Sequence, residues 1–455
     1  MRADAIVAEI GSTTTVVSAF TFDPPRFLGR GMAETTVDTD VTIGLRKALA
    51  DLKRELGVEA LTYERMFASS SAAGGLKITV HGLVYEMTAR AAKEAALNAG
   101  ANIHLITANE LEDEHIERIE AIRPNMIVIA GGTDFGEKTV AMNNLLAVLD
   151  LNIPVIYAGN IANHDRIKAL DHPLVRIVEN VYPRVDDLNI MPLRQAIYET
   201  FEEHIIHAKG MERIFEMVDH RIIPTPGAVM DATMLLAGMA GSVMTIDVGG
   251  ATTDVHSVAK PALESDLYHE GEPLFKRTVE GDLGVYVNRK NVMKTFRSGQ
   301  LSRLMARADA DLEPLIAEPF IPVSEPGKRF VSHLTEQCVR EALDRHIGDQ
   351  RRVFTTSGVR IIPDGRDTTD VGLIALTGGA LIHDPRAIDM VRNYLAHAHT
   401  KLSPDPQVAI RKDQDYLFAA IGVLSHSVPD VALKLLRETL RWSEKDGSTG
   451  HPNRP

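Results

Sequence analysis

The sequence predicts a two-lobed α/β protein whose lobes are related to each other, with a βαβ parallel-sheet region inserted in the first. Three observations carry this. Residues 243–255, VMTIDVGGATTDV, read as a strand, a carboxylate, a Gly turn and a second strand. Residues 5–17, AIVAEIGSTTTVV, nearly repeat that pattern about half a chain away. Between them, residues 86–180 alternate strand-like and helix-like segments joined by short Gly turns, as βαβ crossovers do.

Aligned without gaps, Glu9 falls on Asp247, Gly11 on Gly249, Ser12 on Gly250, Thr14 on Thr252 and Thr15 on Thr253. Two similar segments so far apart imply paired lobes, not a short-period array. Glycines let a backbone come close to a phosphate, and successive turn N–H groups form an anion nest. A carboxylate at the strand end holds Mg²⁺, usually through water. Two such loops facing each other across a cleft would bind a nucleotide. Taken singly, either segment is equally an ordinary buried hairpin with a Gly turn.

Composition sets the limits. A chain of 455 residues is too long for one typical core and suits two or three domains. Its hydrophobic fraction of 44% is that of a globular protein. Acids exceed bases by 62 to 49, a net charge of −13, which argues against nucleic-acid binding by bulk charge. The single cysteine, Cys338, rules out an intramolecular disulfide and a cysteine-ligated iron–sulfur cluster within one chain. No stretch approaches 18 unbroken apolar residues, so no membrane span is expected. The N-terminus, MRADAIVAEIG, enters the first strand without the apolar region of a signal peptide, which makes a cytoplasmic setting the expectation.

In order, residues 27–37 read as a strand, and Val41, Leu45, Ala48, Leu49, Leu52 and Leu56 recur at helical spacing. Met66 to Gly75 is a strand running into a Ser/Gly loop, a plain surface turn or a phosphate contact. Within the inserted region, helices are expected at 86–99, 109–121 and 137–149. Strands are expected at 103–106, 126–130, 155–158 and 175–178. Its AGGTDFGEK turn, residues 130–138, lacks the G-K-[ST] ending of a P-loop and reads as a structural turn before a ligand or partner site. Residues 190–218 are expected helical, with His204 and His207 on one face but too few neighbours for zinc. Pro224 to Gly227 reads as a turn, and Met230 to Met239 as a small-residue helix. Residues 274–284 read as a strand meeting a turn with Glu280 and Asp282. Ile321 to Pro326 is a Pro-rich break, and 331–346 a helix carrying Cys338. Val371 to Ala380 is a buried strand ending in Thr-Gly-Gly-Ala, where Gly378 and Gly379 would let a flat adenine lie against the backbone. Helices follow at 415–425 and 430–442, and residues 443–455 read as a disordered tail. The domain expectation is a first lobe at 1–242 with its insertion at about 86–180, a second lobe at 243–425, a C-terminal helix at 426–442 and the tail.

Two phosphate-type hairpins followed by a Gly-Gly turn, in that order, resemble the sugar-kinase/actin/heat-shock-chaperone superfamily of two-lobed ATPases, with duplicated ribonuclease H-like lobes. Within it the chain resembles the glutamate-mutase-associated chaperone family, GlmL or MutL, unrelated to mismatch repair. The resemblance runs over about residues 5–425. It is carried by EIGSTTTV at 9–16, AGGTDFG at 130–136, YAGN at 157–160, PTPGAV at 224–229, TIDVGGATTDVHSV at 245–258, TVEGDLGV at 278–285, LTGGALI at 376–382 and DYLFAAIGVLS at 415–425. It implies an ATP- and Mg²⁺-binding, slowly hydrolysing, reactivase-like chaperone. Such a factor acts on an adenosylcobalamin-dependent mutase such as glutamate mutase, whose damaged cobalamin it helps release; a homodimer is among the states left open. By position, Glu9 and Asp247 would face Mg²⁺ through water, with Asp247 also the catalytic candidate. Gly11, Ser12, Thr13, Gly249, Gly250 and Thr252 would cradle phosphate, and Gly378 and Gly379 would flank adenosine.

The chain departs from the family pattern at three positions: Glu9 stands where Asp is usual, Val16 where Lys is common, and Phe135 where Gly is more usual. A missing cation near the phosphates removes charge stabilisation for phosphoryl transfer. Two further readings therefore stand beside the first: a small-molecule kinase on the same fold, with Asp247 or Asp254 as base, and a scaffold that has lost turnover.

Overall fold

The computed structural model describes residues 1–11, 13–36, 39–71, 76–185, 187–205, 210–219, 222–260, 274–306, 312–355 and 358–442, with the side chains of 202–205, 352–355 and 358–362 outside that description. Ser12, His207, residues 72–75 at the end of the Ser/Gly loop and the tail expected at 443–455 lie outside the described residues, as does the side chain of His204. The chain divides into two compact units, Met1–Asp231 with Gly422–Val431, and Ala232–Ile421 with Ala432–Pro455.

Unit 1 begins with β1 (Arg2–Ile10), β2 (Thr14–Phe22), β3 (Pro25–Glu34), a helix at Val41–Glu55 and β4 (Thr62–Ser70). β1 is central. Its run from Ala5 to Ala8 is fully buried, as expected of a strand covered on both faces, and Glu9 breaks that run at the penultimate position. The helix starts where the side chain of Asp40 accepts from the Thr42 N–H at 2.8 Å, an N-cap. It buries Leu45, Ala48 and Leu52, one stripe at helical spacing.

The chain then leaves this sheet for a second one. β5 (Leu76–Gly82), β6 (Ala101–Ala108), β7 (Met126–Ile129), β8 (Val155–Tyr157) and β9 (Val175–Ile177) form an all-parallel sheet in the order β6-β5-β7-β8-β9. This is the doubly wound arrangement, with its order reversing at β5. The sheet opens at Leu76, ahead of residue 86, because β5 pairs with β6 and β7. The helix expected at 86–99 starts as a π-helical turn, Tyr85–Ala89, and becomes α-helical only at Arg90–Asn98. The span 190–218 is two helices, Ile190–Ile205 and Met211–Met217. β10 (Ile222–Pro224) rejoins the first sheet, giving the order β10-β4-β1-β2-β3. Pro224 to Gly227 is not a free turn: Pro224 ends β10, and a helix runs from Thr225 to Ala240. Pro226 fits its first turn, where a backbone N–H needs no helical partner.

Unit 2 repeats the scheme. β11 (Val243–Val248), β12 (Thr253–Val258), β13 (Phe275–Glu280), β16 (Leu373–Thr377) and β17 (Ala409–Lys412) are ordered β13-β12-β11-β16-β17. In both units the first three strands pair antiparallel and the last two join in parallel. The duplication legible in thirteen residues thus extends through five strands. β14 (Asp349–Thr355) and β15 (Gly358–Asp364) form a separate hairpin. The helix expected at 331–346 begins at Glu325, with Pro326 inside its first turn and Ser324 capping the Gly327 N–H at 3.0 Å. Phe330, Leu334 and Cys338 on it pack with Met244, Ile246 and Val255 of the sheet.

His81 sits fully buried in β5, between Thr107 Oγ1 at 2.8 Å and Thr79 Oγ1 at 3.0 Å. Burial, and to a lesser degree His115, push its pKa down to about 3. The native state therefore refuses a proton that the unfolded chain accepts below about pH 6.5. The stability this supplies is complete above that pH. It is lost at about 1.4 kcal/mol per pH unit on acidification, down to pH ~3. Chemical denaturation between pH 7.5 and 4.5 should show this slope flattened by one proton in His81→Gln; identical slopes would overturn it.

Candidate functional site

Unit 2 brings its predicted residues together. In β11 every residue is buried except Asp247, which is half-buried at the penultimate position, the place Glu9 holds in β1. The following turn closes by a Gly249 N–H donated to the Thr252 carbonyl at 2.9 Å; the N-terminal hairpin closes identically, Gly11 N–H to Thr14 carbonyl at 3.0 Å. The ungapped correspondence of Gly11 with Gly249 and Thr14 with Thr252 is therefore a correspondence of hydrogen bonds. In parallel pairing Asp247 faces Thr377 and Glu9 faces Ser69, which extends it to the neighbouring strands.

The turn's polar groups are sorted by direction. The Gly249 carbonyl accepts from Val285 N–H, the Gly250 carbonyl from Tyr286 and Val287 N–H at 2.9 and 2.8 Å, and the Ala251 carbonyl from Asn288 Nδ2 at 2.7 Å. Asn288 also donates to the Gly281 carbonyl at 2.8 Å. All three carbonyls are thereby drawn to one side. Among the described residues, the N–H groups of Gly250, Ala251 and Thr252 have no acceptor. A turn with satisfied carbonyls and open N–H groups is an anion nest. Phe320 lies against Gly250, where any side chain would overlap its ring, and stacks edge-on to Tyr286 at 5.4 Å.

The third Gly turn adjoins the carboxylate. β16 ends at Thr377, and Gly378 follows with φ +84°, a left-handed conformation that favours glycine. A Cβ there would also collide with Asp247 Oδ1 and with the backbone of Val248. Gly379 opens a short helix and has open space around it. Asp413, fully buried, anchors this corner. It accepts from Thr377 Oγ1 at 3.0 Å, from the Leu417 and Phe418 N–H groups and from Thr439 Oγ1. Burial pushes its carboxyl up, against those four donors.

Other carboxylates are committed. Asp254, a candidate base on the kinase reading, is buried and ion-paired to Arg277 at 2.9 Å, itself 1% exposed. Glu280 and Asp282 both meet Arg345, and burial raises the Glu280 carboxyl. The Cys338 thiol is buried and pushed up to about 12, an inert group. Asn288, Asp413 and Phe320 are missed by sequence reasoning. Asp413 alone has a local signal, an acid five residues before a small-residue helix.

In unit 1, Gly11 and Thr13 occupy the equivalent hairpin, with the Thr13 carbonyl accepting from Thr35 N–H at 2.9 Å. Val16 is buried in β2, so no cation stands there. Among the described residues no group of three His, Cys, Asp or Glu could hold a metal, and no helix is long and apolar enough to cross a membrane. Mg²⁺ does not need such a cage: it keeps several waters and takes one or two carboxylates plus substrate phosphates. One half-buried carboxylate beside an anion nest fits that chemistry.

Two units built on one strand order, each with an acid–Gly hairpin, and an α/β insertion in the first, define the actin-like ATPase fold. The chain belongs to the MutL protein family, whose model matches residues 5–440. It is 32% identical over 459 residues to Protein MutL of Clostridium tetanomorphum, covering 96% of this chain and 98% of that one. Among solved structures, it is similar to the nucleotide-free diol dehydratase-reactivating factor at 12% identity and TM-score 0.37, over 94% of this chain and 99% of that one. It is similar also to a glycerol dehydratase reactivase at 12% identity and TM-score 0.34, over 92% and 99%.

Proposed function

We propose that this protein binds Mg-ATP, hydrolyses it slowly, and acts as a reactivase-like chaperone on an adenosylcobalamin-dependent mutase, glutamate mutase being the first candidate. The observation that carries the nucleotide reading is the unit 2 turn, with its three open N–H groups beside Asp247 and the Gly378–Gly379 turn. In this reading Gly249, Gly250 and Thr252 receive phosphate, Gly378 and Gly379 flank adenosine, and Asp247 holds water-bound Mg²⁺. Bound Mg²⁺ supplies charge neutralisation on the phosphates. Glu9, Gly11, Ser12 and Thr13 are proposed as a second phosphate loop with its own carboxylate. Glu9 is one methylene longer than Asp and Val16 brings no charge, which supports slow turnover. Family membership supports the client, since the resemblance is to mutase-associated chaperones. For ATP to drive a change in client affinity, it must bind two conformations of the protein unequally.

Titration calorimetry of the full chain with ATP and ADP, with and without Mg²⁺, tests the first half. Micromolar Mg-dependent binding is expected, and none at millimolar nucleotide would overturn it. Release of an inactive corrinoid from purified glutamate mutase, faster with ATP than without, tests the second. Transfer of the γ-phosphate to a small-molecule acceptor would favour a kinase instead.

A further inference from the structure

The proposed nucleotide site uses no residue of the parallel sheet in unit 1. In such sheets the loops at the carboxyl ends of the strands meet ligands and partners, around the point where strand order reverses. Here those loops are apolar at their tips. Val84 and Tyr85 follow β5, Phe135 follows β7, Ile161 follows β8 and Val185 follows β9, and all five are exposed. These loops follow four consecutive strands of the sheet, whose ends, spaced ~4.8 Å apart, span about 15 Å of one edge.

Phe135 is the most protruding of them, 85% exposed, with φ +61°. A bulky residue in that region is a costly outlier that persists only where its surroundings impose it. The surroundings do so. Its N–H donates to Asn160 Oδ1 at 3.2 Å, and Asn160 Nδ2 donates to the Gly136 and Glu137 carbonyls at 3.2 and 3.0 Å. The preceding Asp134 N–H donates to the Pro183 carbonyl at 2.9 Å, and its Oδ1 accepts from Ile161 N–H and Asn180 Nδ2 at 3.0 and 2.9 Å. Three loops are thus braced together by backbone and polar groups, with the phenyl ring pointing into solvent and contributing nothing to the bracing. A ring so exposed is a protrusion, not the wall of a pocket, which disfavours a small ligand.

Together with the loop after β6 on the same edge, these loops are acidic. Glu86, Glu110, Glu112, Glu137, Glu179 and Asp187 are exposed, against Lys138 and Arg184. Anionic membranes and nucleic acids are repelled by such an edge, and a second copy would set acid against acid. We propose that this edge docks a protein partner whose contact face is basic and carries apolar sockets, with Phe135 as the anchor. Aromatic anchors at the centre of a patch with a charged rim are how interfaces concentrate their binding energy. The partner is the client of the proposed function, and the inference rests on that reading.

Phe135→Gly is the decisive variant, because glycine suits φ +61° and the ring packs on nothing, so folding is preserved or improved. Binding of the full chain to purified glutamate mutase would be measured at low and moderate salt, with ATP affinity and Tm alongside. The wild type should bind and weaken as salt rises. Phe135→Gly should bind at least tenfold more weakly, with unchanged ATP affinity and an equal or higher Tm. Wild-type affinity in both Phe135→Gly and Tyr85→Ser would overturn the docking edge. A wild type that binds ATP but no mutase would overturn the client and this inference together. Phe135-dependent mutase binding without ATP binding would overturn the nucleotide reading and uphold the edge.

Discussion

Replacing Arg277 with Leu should destabilise unit 2 by about 3–5 kcal/mol, the cost of leaving a buried charge without its partner. Arg277 is 1% exposed, and its guanidinium meets Asp254 in the next strand of the sheet. Removing the guanidinium strands a carboxylate that water barely reaches. The effect belongs to the uncompensated charge and not to the pair, since replacing both partners with apolar groups is often neutral. Arg277→Leu with Asp254→Leu should therefore recover much of what the single variant loses. Urea denaturation of the wild type, the single variants and the double variant measures this as a cycle. A single-variant loss under about 1 kcal/mol would mean that the pair is hydrated in solution.

Asp247→Asn should weaken Mg-ATP affinity by at least a hundredfold, about 2.7 kcal/mol. The substitution keeps the side chain's size, so the close approach of Gly378 is undisturbed. It removes the charge that would hold the water-bound metal. The sign should reverse without metal: in EDTA, the variant should bind ATP as well as the wild type or better, because one negative charge near the phosphates is gone. Calorimetry in both conditions separates metal positioning from general damage. Equal loss with and without Mg²⁺ would assign Asp247 a structural role. Unchanged Mg-ATP affinity would remove it from the site altogether.

The two hairpins were legible because they combine strong local signals: buried β-branched runs, one carboxylate each, and turn glycines. Their matched Gly–Thr hydrogen bonds show that a thirteen-residue pattern can report a sheet-wide duplication. The parallel sheet was legible from its alternation of periods, though not its first strand. LKITVHG, residues 76–82, reads as extended wherever it pairs, and only pairing decides its sheet. Pro226 and Pro326 misled in the same way, since proline looks like a break yet suits the first turn of a helix. The partner of Asp254, a candidate base on the kinase reading, lies 23 residues away, at Arg277. Asn288 and Phe320 act on the turn from 37 and 70 residues beyond Ala251 and Gly250, without any local pattern. Such partners are set by tertiary packing, which single-sequence periodicity does not encode.

The inserted sheet also places the longest chain closure of unit 1 at its last strand. β4 and β10 are neighbours, yet Ala68 and its partner Ile222 are separated by 154 residues of chain. The matching step in unit 2, from Leu376 to its partner Lys412, spans 36. Bringing distant segments together costs closure entropy before any pairing rewards it, and long-range contacts slow folding. A collapsed, already folded insertion shortens that gap to the distance between its own ends. Unit 1 thus meets its longest closure at its last strand, whereas unit 2 meets its own one step earlier, between Val243 and its partner Leu373, 130 residues apart. An unfinished unit 1 would present β4 as an unpaired edge, the state in which a strand is most exposed to association with the wrong chain.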